Sequence, residues 1–262
     1  YNTIVNRITL NEQLNKKLEE TAQALYKHWF VDFEFPNEKG LPYKSSGGQM
    51  IYNEGLDKEV PEGWRAKSFD KLIDYNYSNY SKNDSFESIY YLDTSSITEN
   101  KIEELQHLIV GEDTIPSRAK RKVTNNDIVY STVRPNLKHY GLIKNPPENM
   151  LVSTGFTVIK SKDINIENEL LFLNLTSDEN TKYLHAKAEM SVSTYPSIKP
   201  EDILEIHFPY PKESHLYILV GIKKKIEPIY NLLWLRNEEN KRLVKIKEVL
   251  LQSLSIAKEL VL

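Results

Sequence analysis

The sequence predicts an α+β fold, a mixed α/β globular body together with two long helices that pair as an antiparallel coiled coil. Three observations predict it: an apolar stripe at helical spacing near the amino end, a second near the carboxyl end, and short strand-like runs between them. The 262 residues suffice for one large or two small domains, since domains usually hold about 100 to 200. Hydrophobic residues make up 40% and charged residues 27%, ordinary values for a chain that buries a core.

The first helix is read from TLNEQLNKKLEETAQALYKHWF, where Leu10, Leu14, Leu18, Ala22, Leu25 and Trp29 recur in steps of three or four and share one face. Thr9 followed by Glu12 matches a capping box, which satisfies amides left free at a helix start, so the helix is expected to begin there. After Trp29, FVDFEFP alternates as a strand does and stops at Pro36; NEKGLPYKSSGG then reads as a linker. At the carboxyl end Pro228 suits a first helical position. Ile229, Leu233, Leu243, Ile246, Leu250, Leu254, Ala257 and Val261 follow close to a repeat of about 3.5 residues. A helix of about 33 residues extends roughly 50 Å. Its seam demands a helical partner, and the first helix offers a matching stripe; the alternative is that each helix packs on its own domain.

Between the helices, SIYYLD, DIVYSTV, HYGLI and LVSTGFTVI read as strands, whereas IENELLFLNLTS and DENTKYLHAKAE read as short helices. The expected organisation is a helix over 1–36, a linker over 37–55, a globular domain over 56–215 and a second long helix over 216–262.

The composition excludes several chemistries. Without cysteine there is neither disulfide nor thiolate metal site, which fits a reducing cytosol. No run approaches the roughly 20 apolar residues of a membrane helix, and YNTIVNRITLNEQL lacks a signal-peptide core, so a cytoplasmic protein is expected. His28, His107, His139, His185, His207 and His215 show no metal-ligand spacing, and no glycine-rich phosphate loop occurs. The pairs Glu103-Glu104 and Glu238-Glu239 lie in solvated, helix-like surroundings rather than in an acid-base arrangement. Asn145-Pro146-Pro147 begins like the motif by which amino-methyltransferases hold an adenine amino group. Glu148 stands where an aromatic is needed, so KNPPEN reads as a proline turn.

What remains is charge. Between Ser117 and Lys144 lie Arg118, Lys120, Arg121, Lys122, Arg134, Lys138 and Lys144, with Asp127 the only acid, in a chain of net charge -3. Such a surplus is a footprint for a polyanion, because each neutralised phosphate releases counterions; the other reading is a solvated face. The lysine-rich SRAKRK offers sequence-blind affinity for backbone phosphates. Arg134 and Asn136, in YSTVRPN, offer donors and acceptors to base edges, arginine to guanine and asparagine to adenine. A second polar loop, SVSTYPSIKPEDI, adds Ser193, Thr194, Tyr195, Ser197 and Lys199 as candidates, or is an ordinary turn entering a helix at Pro200-Glu201-Asp202.

The order of AQALYKHWFVDFEFP, VPEGWR, DIVYSTVRPN, LVSTGFTVI, STYPSIKPEDI and NEENKRLVKIKEVLLQSL resembles the specificity subunit of type I restriction-modification systems over essentially the whole chain. Members of that family normally hold two target-recognition domains separated by conserved helices, each domain reading one half of a split DNA sequence. This chain resembles half of that plan, so it is either the carboxyl-terminal half of a full subunit or a half-sized subunit that forms a homodimer through its helices. The resemblance implies a non-catalytic chain that binds double-stranded DNA, holds no cofactor itself and docks modification subunits. Those subunits would carry S-adenosylmethionine and adenine N6-methylation, with restriction subunits joining for cleavage. The phrases DIVYSTVRPN and STYPSIKPEDI recur among members reading different sequences, so they serve either as scaffold or as DNA contacts. Two rival readings are the recognition portion of a fused restriction-methyltransferase and a structural coiled-coil adaptor.

Overall fold

The structure, a computed structural model, describes residues 1–81, 83–191 and 195–259, with side chains as far as residue 253. It divides into two compact units, one of Tyr1–Leu25 with the chain from Lys224 onward, the other of Tyr26–Lys223.

Helices α1 (Asn2–Tyr26) and α5 (Tyr217–Glu259) supply the first unit. They run antiparallel there: Arg7 donates to Glu239 at 2.9 Å and Asn11 to Glu239 and Asn240, both at 2.8 Å, whereas Asn15, further along α1, donates back to Asn237 at 2.7 Å. The expected antiparallel helical pair is therefore present, with three corrections, the first being that Ile246 and Leu250, expected on the seam of α5, stand 49% and 38% exposed. Leu10 does not belong to the seam and stands 45% exposed, while Asn11 is fully buried. Ile4, Ile8, Asn11, Asn15, Leu18 and Ala22 form the covered face instead, at steps of three and four. The Thr9 capping box also does not mark the start, because the seam continues through Ile4 and Ile8 and leaves no free amides at Thr9 to satisfy.

Helix α5 is longer than expected, 43 residues with Pro228 inside it. An interior proline costs about 3 kcal/mol. Ile218, Leu219 and Ile222, upstream of it, are buried. Each such burial contributes about 1.5–3 kcal/mol, so together they outweigh the proline. Gly221 lets the helix approach Trp29, whose ring would lie 3.3 Å from a Cβ added there.

In the second unit the strands are, in chain order, β1 (Met50–Asn53), β2 (Lys58–Pro61), β3 (Arg65–Ser68), β4 (Ile73–Tyr75), β5 (Ser88–Leu92), β6 (Ile97–Thr98) and β7 (Lys101–Ile102). There follow β8 (Gln106–Ile109), β9 (Ala119–Lys122), β10 (Asp127–Ser131), β11 (Tyr140–Ile143), β12 (Met150–Ser153), β13 (Phe156–Ser161) and β14 (His207–Tyr210). Two four-stranded sheets dominate, ordered β11-β10-β13-β4, all antiparallel, and β8-β5-β12-β9, in which β5 and β12 pair in parallel. Alternation along β5 sends Leu92 to a core shared with Val129, Val152, Phe156 and Val158, and sends Ile89 and Tyr91 to a second cluster with Ala119 and Leu151. Helices α2 (Asn168–Leu175) and α3 (Asp178–Glu189) match the expected short helices, and α2 is buried along its whole length.

Two strand expectations are corrected. LVSTGFTVI is not one strand but two, β12 and β13, separated by a turn at Thr154-Gly155. FVDFEFP is not a strand: Lys27–Val31 forms a π-helical turn and irregular backbone follows. Its aromatic residues are buried without period-two alternation, Phe30 against Trp64 and Phe208, Phe33 and Phe35 against Trp64. Residues 37–55, expected as a linker, carry hydrogen-bonded turns and β1, with the amide of Tyr43 donating to Phe35 at 2.9 Å.

Trp64 donates its indole N–H to Nδ1 of His215 at 3.0 Å. Burial and then Lys212 hold the His215 pKa below its usual value, against an opposing pull from Glu38. A lowered histidine pKa means that the folded state binds fewer protons, so its contribution is present above the unfolded value of about 6.5 and is lost as pH falls through it. Acidification from about pH 7.5 to about 5.5 is expected to lower the melting temperature and to redshift tryptophan emission. His215→Gln, which keeps an acceptor but does not titrate, should reduce that dependence; an unchanged profile would contradict the coupling.

Candidate nucleic-acid interface

The candidate cations come from three loops and one strand, and backbone hydrogen bonds join these segments side by side. Thr154 N–H donates to the Arg118 carbonyl at 2.9 Å, Thr132 N–H to Gly155 at 2.9 Å, and Ile198 N–H to Thr132 at 2.8 Å. Beside them Arg134 N–H donates to Pro196 at 2.9 Å, and Val133 bridges to Ser197. Adjacent segments in such a ladder lie about 4.8 Å apart, so three steps give a rim roughly 14 Å long. Its ends are Arg118 and the loop leading into α4 (Pro200–Leu204).

Arg134 itself is left-handed, at φ 47°, and so is Lys138, at φ 57°. Between them Pro135–Leu137 makes a single 3-10 turn that buries Pro135 and exposes Asn136. Left-handed backbone at side-chain-bearing residues costs about 1–3 kcal/mol and persists where the surroundings impose it. Here the imposing contacts are Arg134 to Pro196 and the Glu99 amide to the Lys138 carbonyl, both 2.9 Å. The Arg134 guanidinium lies 5.0 Å from the ring centre of Tyr195, which is 58% exposed. Stacking on the ring face leaves the in-plane N–H donors of the guanidinium directed outward.

The structure separates the cations by their partners. Lys122 is ion-paired with Asp84, Lys138 with Glu99 at 2.6 Å, and Lys144 with Glu169 at 2.7 Å in a pair that is almost fully buried. Arg121 turns inward, donates to the Thr154 carbonyl at 3.3 Å and has its pKa lowered by burial. Arg118, Lys120 and Arg134 are exposed and have no ion pair or side-chain hydrogen bond among the described residues. Asp127, the one acid of the run, is fully buried and accepts from Tyr77 and Thr124, with burial raising its pKa, so its carboxyl group does not stand on the surface beside the cations. Lys199 caps α4, its amide donating to Asp202 at 2.7 Å, so the expected helix entry is present. Ser193 and Thr194 lie outside the described residues.

Sequence reasoning missed the residues that hold the rim, Thr132, Thr154 and Gly155. The signal was the lone glycine interrupting the apolar run of LVSTGFTVI, a mark of a turn or of close backbone approach. Among the described residues no cluster of side chains suits a metal ion, and no helix is long and apolar enough to cross a membrane.

No protein-family model matches the chain. It is 26% identical over 196 residues to the HindI specificity subunit of Haemophilus influenzae, covering 75% of this chain and 40% of that protein. It is 25% identical over 252 residues to the MjaIX specificity subunit of Methanocaldococcus jannaschii, covering 92% and 52%. Among solved structures, a chain from a study of complex assembly and conformational transition in the type I R-M system matches at 28% identity and TM-score 0.53, covering 77% of this chain and 50% of that one. The HsdS subunit of Thermoanaerobacter tengcongensis matches at 25% identity and TM-score 0.53, covering 78% and 50%. The type I S subunit of M. genitalium, at 12% identity and TM-score 0.52 over 95% and 55%, shares the fold. The chain spans about half the length of the curated relatives it matches.

Fold and sequence together place the chain in the class of mixed α/β proteins that carry a long helix near each end. More particularly, it is similar to type I restriction-modification specificity subunits, with one recognition domain, as its sequence phrases led us to expect.

The division of the cations gives a testable contrast. Lys120→Ala should weaken binding to every duplex and reduce the slope of log affinity against log salt by about one. Lys144→Ala should instead destabilise the fold by about 3 kcal/mol or more, because Glu169 is left buried and unpaired. Thermal melts beside salt titrations check both.

Proposed function

We propose that this chain recognises one half of a bipartite sequence in double-stranded DNA on behalf of a type I restriction-modification complex. One observation carries the reading: in a chain of net charge -3, Arg118, Lys120 and Arg134 have no acidic partner among the described residues and stand near a backbone rim, whereas Lys122, Lys138 and Lys144 have acidic partners. Unpaired cations on a fixed surface attract phosphates, and a rim of roughly 14 Å is commensurate with a major groove about 12 Å wide. Arg134, Asn136 and Tyr195 supply the base-edge and stacking groups.

Specificity subunits are non-catalytic, and this chain selects the site rather than altering it. Modification subunits, docked on α1 and α5, bind S-adenosylmethionine and methylate adenine; restriction subunits join them for cleavage. The helices set the separation of half-sites. A second recognition domain comes from another copy paired through the helices or from a longer chain. The complex works in the cytoplasm, where its DNA lies.

Electrophoretic binding of the chain, alone and assembled with its modification subunits, tests this. The assembled complex should select particular duplexes from a randomised pool, and its affinity should fall steeply between about 50 and 200 mM salt. Equal affinity for all duplexes would refute sequence recognition, and no dependence on salt would favour a structural adaptor.

A further inference from the structure

Arg118 lies at one end of the rim, and its side chain is laid along the protein rather than extended into solvent. A Cβ added to Gly155 would meet Arg118 Nη2 at 2.9 Å and Thr94 Cγ2 at 2.8 Å. The guanidinium therefore rests over the Thr154-Gly155 turn beside the Thr94 methyl, in space that only a glycine at 155 leaves open. Thr94 follows Asp93, whose carboxylate accepts from the Tyr91 hydroxyl at 2.8 Å and from the Ser95 amide at 3.2 Å. The Ser153 hydroxyl accepts from the Gly155 amide at 3.2 Å. The floor under the guanidinium is thus fixed by side chains that are themselves hydrogen-bonded, and its backbone carbonyl is fixed by Thr154.

A phosphate contact needs only a charge within reach, and a flexible lysine supplies it; Lys120 is such a group. An arginine resting over a hydrogen-bonded floor, with no side-chain acceptor for its N–H fork among the described residues, suits an acceptor pair of fixed geometry. On DNA that pair is O6 and N7 of guanine in the major groove. We propose that Arg118 is a base-reading, specificity-determining side chain, aimed at a guanine by the bare Gly155 turn and the Thr94 methyl, and that Gly155 is its positioning residue. This rests on the reading of the chain as a DNA-recognition module. Arg118, at one end of the rim, and Arg134, about two strand spacings along it, then read from the same face.

The test uses the full chain assembled with its modification subunits and a pool of duplexes with randomised cores. The readout is the ratio of affinities for selected and unselected duplexes. Arg118→Lys keeps the charge but loses the fork, and should lower that ratio about ten- to hundred-fold and relax selection at one guanine position. Gly155→Ala should lower the ratio in the parent chain and have no further effect in the Arg118→Lys background. An unchanged ratio in Arg118→Lys makes Arg118 a phosphate contact and overturns the proposal. Equal losses from Gly155→Ala in both backgrounds overturn the positioning role. Arg118→Lys alters an exposed side chain, so its outcome stands whether or not Gly155→Ala folds. If the parent complex enriches no sequence, the recognition reading itself falls, and this inference with it.

Discussion

The amide of Thr154 and the carbonyl of Gly155 are the hinge on which the recognition face depends. At this turn the chain leaves β12, in the mixed sheet, and enters β13, in the antiparallel sheet. Each residue spends its backbone group on a neighbour from a different segment, Thr154 on Arg118 and Gly155 on Thr132. Backbone groups in such a crowded crossing must be paired, since a buried orphan costs as much as a lost hydrogen bond. That requirement draws together parts of the chain that lie far apart in sequence. Without it, the arginine preceding β9 and the arginine following β10 would belong to separate loops with no defined spacing.

Charge then acts on a surface that the backbone has already shaped. An overall charge of -3 says nothing of where cations stand free. What decides availability is the cost of giving up the protein partner. The Lys138–Glu99 pair is about half exposed at both ends. Such a pair contributes about 0–1 kcal/mol, so Lys138 can exchange its carboxylate for a phosphate at little cost. Lys144, paired in the interior with Glu169, cannot, because the abandoned carboxylate would stay buried. Among the described residues the cations therefore form a graded series: Arg118, Lys120 and Arg134 without an ion pair, Lys138 exchangeable, Arg121 and Lys144 structural.

Much of the fold was legible because period two and period 3.6 leave marks within a few residues. SIYYL, DIVYS and NELLFLNL formed the elements their patterns imply. The aromatic stretch after Trp29 was misread because Phe30, Phe33 and Phe35 obey a tertiary demand, enclosure of Trp64, which alternation cannot express. The recognition loops were legible as phrases, but the sorting of their cations was not. Asp84, Glu99 and Glu169 neutralise lysines 38, 39 and 25 residues away, and no local pattern announces pairs at such separations. Gly155 was visible only as a break in an apolar run; that it shelters an arginine depends on Thr94, distant along the chain.

The helical unit shows the same preference for definition over strength. A seam of leucines alone would bury more apolar area, yet Asn11 and Asn15 meet Asn237 and Asn240 in its interior, and Asn11 is wholly enclosed. A polar layer inside a coiled coil lowers stability and in return specifies register, because a slip parts the Asn11 and Asn15 amide donors from Glu239, Asn240 and Asn237. Slippage by one heptad moves a helix about 10 Å along its neighbour. Along DNA that distance is about three base pairs at 3.4 Å each. For a spacer that sets the distance between two half-sites, an error of that size would select a different bipartite target. Under the function proposed above, the asparagine layer would protect that spacing; in the helices themselves it fixes the register of α1 on α5.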